Sequence, residues 1–134
     1  MRTPAELTDL FQAQGLKVTP QRQAVFRALL DNHSHPTADA VHAAVTVDLP
    51  NVSLRTVYQV LNDLTRLGEI HALDLGTGAA RFDPNVDAHQ HLVCAACGKV
   101  RDVYVDPVTA PTHAEFTVDR AEVVFRGRCA ECQS

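Results

Sequence analysis

The sequence of 134 residues contains no apolar run long enough to span a bilayer, so no membrane association is expected. Its opening residues, Met1-Arg2-Thr3-Pro4-Ala5-Glu6, lack the apolar centre of a secretory signal, and a cytoplasmic location is expected. A basic excess is also missing: 12 Lys and Arg against 16 Asp and Glu leave a net charge of −4, whereas phosphate binding ordinarily shows as positive charge. A nucleic-acid surface must therefore be local, and bound divalent cations would offset part of the carboxylate excess. The sequence has no internal repeat and no low-complexity tract. It also lacks any nucleophile or organic-cofactor motif, which argues against an enzyme acting on a small-molecule substrate.

What remains is a chain short enough to form one ordinary domain or two small ones, each with a thin core. Four cysteines in two C-x-x-C pairs supply a means of reinforcement, because thiolate-bound zinc contributes folding free energy that a thin core cannot.

Residues 1–70 predict four helices. The first runs from Ala5 to Gln14 and stops at Gly15; the second opens at Thr19-Pro20, with Val25, Phe26, Leu29 and Leu30 on one face. Pro36-Thr37 opens the third, with Ala38, Val41 and Val45 inward, and Ser53 caps the fourth, Leu54 to Leu67, before Gly68. On the fourth helix Val57, Val60, Leu61, Leu64 and Leu67 form an apolar stripe. Arg55, Tyr58, Gln59, Asn62 and Arg66 lie opposite, a polar face suited to a major groove. Ile70–Leu75 and Ala79–Phe82 flank Gly76-Thr77-Gly78 as a hairpin, so the expected architecture is a winged helix over residues 1–82. Its DNA contacts would come from Arg55, Thr56, Tyr58 and Gln59, with Lys17 and Arg22 on the backbone. The alternative is a helical bundle with a solvated polar face.

A polar hinge at residues 83–88 leads into a β-rich region, 89–134, with strands expected at His89–Cys94, Lys99–Val105, Phe116–Val118 and Glu122–Arg126. Cys94, Cys97, Cys129 and Cys132 suit one closed, tetrahedral, structural Zn²⁺ site; free thiols or two disulfides are the alternatives. His89 and His91, one residue apart on a strand, point to the same side. Asp83 lies upstream and Asp102 on the next strand, so two imidazoles and two carboxylates form a second candidate centre, with His35 as a further ligand from the first half. Such N and O donors suit Mn²⁺ or Fe²⁺. The remaining histidines, His33, His42, His71 and His113, read as surface or satisfied core residues. A non-haem iron enzyme and a metal buffer are competing uses of this donor set; turnover of a small substrate would mark the first, and the second would not need the polar face of the fourth helix.

Taken in order, Leu16-Lys-Val-Thr-Pro-Gln-Arg22, His35-Pro-Thr-Ala-Asp39, Val52-Ser-Leu-Arg-Thr-Val-Tyr58, Arg81-Phe-Asp83 and His89-x-His91-x-x-Cys94-x-x-Cys97-Gly98 resemble the ferric uptake regulator family over nearly the whole chain. The resemblance implies an α+β protein: an N-terminal winged-helix DNA-binding domain followed by a small α/β dimerisation domain with a four-cysteine zinc site. It also implies a homodimer that represses at a near-palindromic, A·T-rich double-stranded operator when a divalent metal is bound. His35, Asp83, His89, His91 and Asp102 match the regulatory ligands of the family's peroxide-responsive branch. There peroxide reacts with bound Fe²⁺ and oxidises the histidines matching His35 and His89, while the Mn²⁺ form resists. A manganese- or iron-uptake repressor is the alternative within the family.

Three features depart from the family pattern. Gln59 stands where many members carry arginine, the segment 103–115 is short for a dimerisation helix and contains Pro107 and Pro111, and Ala121 replaces a histidine of an accessory metal site.

Overall fold

The computed structural model describes residues 1–76, 78–105, 109–119 and 121–133. They fall into two compact units, Met1–Val86 and Asp87–Ser134.

The first unit holds four helices, α1 (Pro4–Ala13), α2 (Pro20–Leu29), α3 (Ala38–Val45) and α4 (Leu54–Arg66), then a two-stranded hairpin, β1 (His71–Leu73) and β2 (Arg81–Asp83). One device starts every helix. The hydroxyls of Thr3, Thr19, Thr37 and Ser53 accept the amides of Glu6, Arg22, Ala40 and Thr56 at 3.1–3.3 Å. Each satisfies an amide that the helix cannot, worth about 1 kcal/mol. Gly15 and Gly68 follow α1 and α4 at φ +73° and +75°, a left-handed backbone that a side chain would strain. Leu7, Phe11, Val25, Phe26, Leu29, Val57, Val60, Leu61 and Leu64 form the core with Phe82 of the hairpin, and the Phe11 and Phe26 rings meet edge to face at 4.9 Å.

The hairpin is closed by antiparallel pairing of His71 with Asp83 and Leu73 with Arg81. Its strands are shorter than the sequence predicts. Leu75 is buried as an alternating pattern requires, yet residues 74–76 and 78–80 lie out of the ladder; Thr77 lies outside the described residues. A third segment joins the hairpin edge: the Pro36 carbonyl accepts the Phe82 amide at 2.9 Å, and Thr37 bridges Arg81.

The second unit is a three-stranded sheet in the order β4 (Val100–Val103), β3 (Gln90–Cys94), β5 (Val124–Gly127), followed by a 3-10 turn, Ala130–Cys132. The β3–β4 pairing is antiparallel, with His91 opposite Asp102; the β3–β5 pairing is parallel, with Cys94 opposite Gly127. No strand forms at Phe116–Val118. Both residues are exposed, and an isolated bridge and an edge-to-face ring contact at 5.3 Å join Phe116 to His113 in place of a ladder. Residues 109–115 form no helix, and 106–108 lie outside the described residues. No helix among the described residues is long and apolar enough to cross a membrane.

Candidate metal centres

The first centre follows from the parallel register. Because Cys94 ends β3 beside Gly127 of β5, the knuckle Cys94–Cys97 and the turn Cys129–Cys132 meet at one end of the sheet. The four sulfurs lie within 4.8 Å of one another, and Cys97 Sγ is 3.7 Å from Cys129 Sγ. A tetrahedral ion with Zn–S bonds of about 2.3 Å has sulfurs about 3.8 Å apart. All four cysteines are free, so the disulfide alternative does not describe this structure. The Cys97 amide donates to Cys94 Sγ at 3.5 Å, and Lys99 Nζ meets Glu131 at 2.7 Å across the two knuckles.

Electrostatics agree with the geometry. Backbone amides of Cys129 and Cys97 hold the Cys94 thiol down at about 6, whereas hydrogen bonding with Cys129, Cys94 and Cys97 pushes Cys132 up to about 12. Four thiolates this close repel one another, and a divalent cation removes the conflict.

The second set of donors is organised within each unit separately. In the second unit His89 Nε2 lies 3.1 Å from His91 Nε2 and 3.2 Å from Asp102 Oδ1, and His91 Nε2 lies 3.4 Å from the same oxygen. Neighbouring donors on an ion with bonds of about 2.1 Å are separated by about 3.0 Å in octahedral and about 3.4 Å in tetrahedral coordination. The three atoms therefore form one face of a coordination polyhedron, a 2-His-1-carboxylate set with room for further ligands. The His89 ring is held by Nδ1–H donating to the Asp87 carbonyl at 2.5 Å, which turns Nε2 toward His91 and Asp102. The Tyr104 ring, two residues beyond Asp102, lies 5.8 Å from the His89 ring.

In the first unit His35 Nε2 is 3.4 Å from Asp83 Oδ2, and both side chains are buried. The Pro36–Phe82 hydrogen bond places the two residues side by side. His35 itself adopts φ +54°, a left-handed conformation costing roughly 1–2 kcal/mol, held by Arg81 Nη1 donating to its carbonyl at 3.1 Å. Asp83 Oδ1 accepts the Asn85 amide at 2.9 Å, which directs Oδ2 toward the imidazole.

Residues 13–124 match the ferric uptake regulator family. The chain belongs to that family. A peroxide-responsive repressor of Staphylococcus aureus is 36% identical over 132 residues, covering 95% of this chain and 88% of that protein. The ferric uptake regulator of Helicobacter pylori, solved with three functional metal-binding sites, superposes with a TM-score of 0.78 at 22% identity, covering 97% of this chain and 91% of that one. The Pseudomonas aeruginosa regulator, solved with manganese, gives 0.68 at 25% identity over 92% and 97%.

The polar face expected on α4 is well formed here. Arg55, Tyr58, Gln59, Asn62 and Arg66 are exposed on α4, with Val57, Val60, Leu61 and Leu64 buried behind them. Thr56 is half-buried, its hydroxyl 3.0 Å from that of Ser53. Lys17 is exposed before α2. Arg22 is largely covered, 3.8 Å from Asp63, which also binds Arg66 at 2.9 Å. Among the remaining histidines, His42 Nε2 donates to the Val52 carbonyl at 2.7 Å, a structural bond. Sequence reasoning passed over Tyr104 and the Asp87 carbonyl. Tyr104 was detectable, since it shares the strand-side alternation of Asp102; the carbonyl has no sequence signal.

Proposed function

We propose that the chain is a cytoplasmic, homodimeric, metal-dependent transcriptional repressor that senses peroxide. The observation that carries the proposal is the triangle of His89 Nε2, His91 Nε2 and Asp102 Oδ1, three open-faced N and O donors separate from the thiolate cluster. The 36% identity with a peroxide-responsive repressor along nearly the whole chain supports it.

In this reading Cys94, Cys97, Cys129 and Cys132 hold a structural Zn²⁺. His35 and Asp83 join His89, His91 and Asp102 around a regulatory Fe²⁺ or Mn²⁺. Residues 1–82 act as a winged helix, 83–88 as a hinge and 89–134 as the metal-binding and dimerisation domain. Metal taking ligands from both sides of the hinge narrows the geometries open to it. Without metal only a fraction of molecules is competent for DNA, and apparent affinity falls by that fraction. A tenfold fall corresponds to about 1.4 kcal/mol of coupling.

On the DNA side α4 enters the major groove. Arg55, Thr56, Tyr58 and Gln59 stand near bases or phosphates, with Lys17 and Arg22 on the backbone. Two copies read the halves of a near-palindromic, A·T-rich operator. Fe²⁺ held by these residues would supply the redox chemistry that breaks the peroxide O–O bond; His35 or His89 would take up one oxygen, and the other would leave as water. Turnover of a small-molecule substrate is not part of this function.

The test is operator binding by zinc-replete protein loaded with Fe²⁺ or Mn²⁺, before and after a low dose of peroxide. Loss of binding in the Fe²⁺ form alone is the expected result. Equal survival of both forms would make the protein a metal-uptake repressor instead.

A further inference from the structure

Side chains able to give up an electron are scarce in this chain. It has no tryptophan, a single methionine, Met1, and two tyrosines, Tyr58 and Tyr104. Its four cysteines are gathered in the thiolate cluster. Tyr58 sits on the exposed face of α4 in the first unit. Tyr104 lies against the donor set of the second unit: its ring is 5.8 Å from the His89 ring, tilted by 42°. The exposures are opposite, since the His89 side chain is 2% exposed and Tyr104 is 64% exposed. A phenol is more readily oxidised than an imidazole, and here it stands at the solvent side of the ligand.

We infer that Tyr104 is a second oxygen acceptor of the centre, competing with His89 for the oxidant that peroxide generates there. The inference rests on the peroxide-sensing reading above. The step balances with peroxide as the sole oxidant. The O–O bond breaks, one oxygen replaces hydrogen on the ring carbon beside the hydroxyl, and the other oxygen leaves as water. The ring loses two electrons to peroxide, so an Fe²⁺ ion held by the ligands would undergo no net change of oxidation state. Each molecule of peroxide consumed at Tyr104 leaves His89 intact, so the tyrosine sets how much peroxide the protein survives before the ligand set is lost.

The sequence makes the test simple, because Lys99 and Arg101 separate the two acceptors: trypsin places His89 and His91 on residues 82–99 and Tyr104 on residues 102–120. The full-length zinc-replete protein is loaded anaerobically with Fe²⁺, treated with limiting peroxide, digested and mapped by tandem mass spectrometry, with the Mn²⁺ form as reference. The expected result is one added oxygen on Tyr104 as well as on His89 in the Fe²⁺ form, none on Tyr58, and neither product with Mn²⁺. In Tyr104→Leu, oxygen uptake at His89 should rise and operator release should need less peroxide, while Mn²⁺-dependent operator binding is unchanged.

Oxygen on the histidines with none on Tyr104, and the same dose response in Tyr104→Leu, would overturn this inference and leave peroxide sensing standing. Equal oxidation of Tyr58 and Tyr104 would show freely diffusing oxidant and overturn it as well. No oxygen on any of these residues in the Fe²⁺ form would overturn both.

Discussion

His89 and Asp102 each contribute one corner of a three-atom face, so removing either leaves two donors that no longer enclose an ion. His89→Ala or Asp102→Ala should weaken regulatory metal binding by at least about 100-fold, more than the loss of an outer-sphere partner costs, and should abolish metal-stimulated operator binding. Elemental analysis should still find one zinc per chain; undiminished stimulation in both variants would refute the assignment. The thiolate cluster makes its own prediction about pH. Cys94 is held at about 6 against an ordinary 9.0, so its thiolate stabilises the metal-free fold fully above 9.0 and ceases to as pH falls through 6. Cys132 is displaced the other way, to about 12, so near neutrality it keeps its proton and zinc must expel it. Zinc affinity measured against a chelating dye should rise steadily from pH 6 to pH 8; a flat profile would mean that the thiols do not bind the metal. The His89 and His91 pair was legible as an i, i+2 motif on a strand, and Asp102 as its neighbour. His35 was named as a further ligand, but the backbone bond between Pro36 and Phe82 and the left-handed conformation that bring it beside Asp83 have no sequence signal.

At the level of elements, α4 separates stability from recognition by side of helix. Leu61→Ala removes a fully buried side chain and should cost about 2–5 kcal/mol in urea denaturation. Gln59→Ala, on the exposed side, should change stability by less than about 0.5 kcal/mol and alter operator binding. Equal effects of the two on stability would refute this orientation of the helix. The four helices were readable to within a residue or two at most ends because hydroxyl caps and glycine stops act locally. Strands fared worse. Phe116–Val118 has the composition of a strand, but a strand needs a run of partner carbonyls and amides, and among the described residues the segment has an isolated bridge to His113 in place of a ladder. The 3-10 turn carrying Cys132 was read as a knuckle by cysteine spacing alone.

For the whole molecule, the core is distributed unequally. Among the described residues the buried apolar side chains of Asp87–Ser134 are Val93, Cys94 and Val100, whereas Met1–Val86 has seventeen. Removing zinc should therefore unfold the second unit and spare the first: hydrogen exchange after chelation should show lost protection in β3, β4 and β5 while α2 and α4 stay protected. Equal loss in both would contradict this partition. The parallel pairing of β3 with β5 also has a kinetic consequence. Helices α1 to α4 close through contacts near in sequence, whereas Cys94 and Gly127 must find each other across the intervening loop before their ladder gains any energy. On dilution from denaturant the helical half should reach its native signal first. The sheet should lag by a delay that shortens as zinc concentration rises, because an ion caught by the first knuckle tethers the second pair of cysteines and spares part of the search.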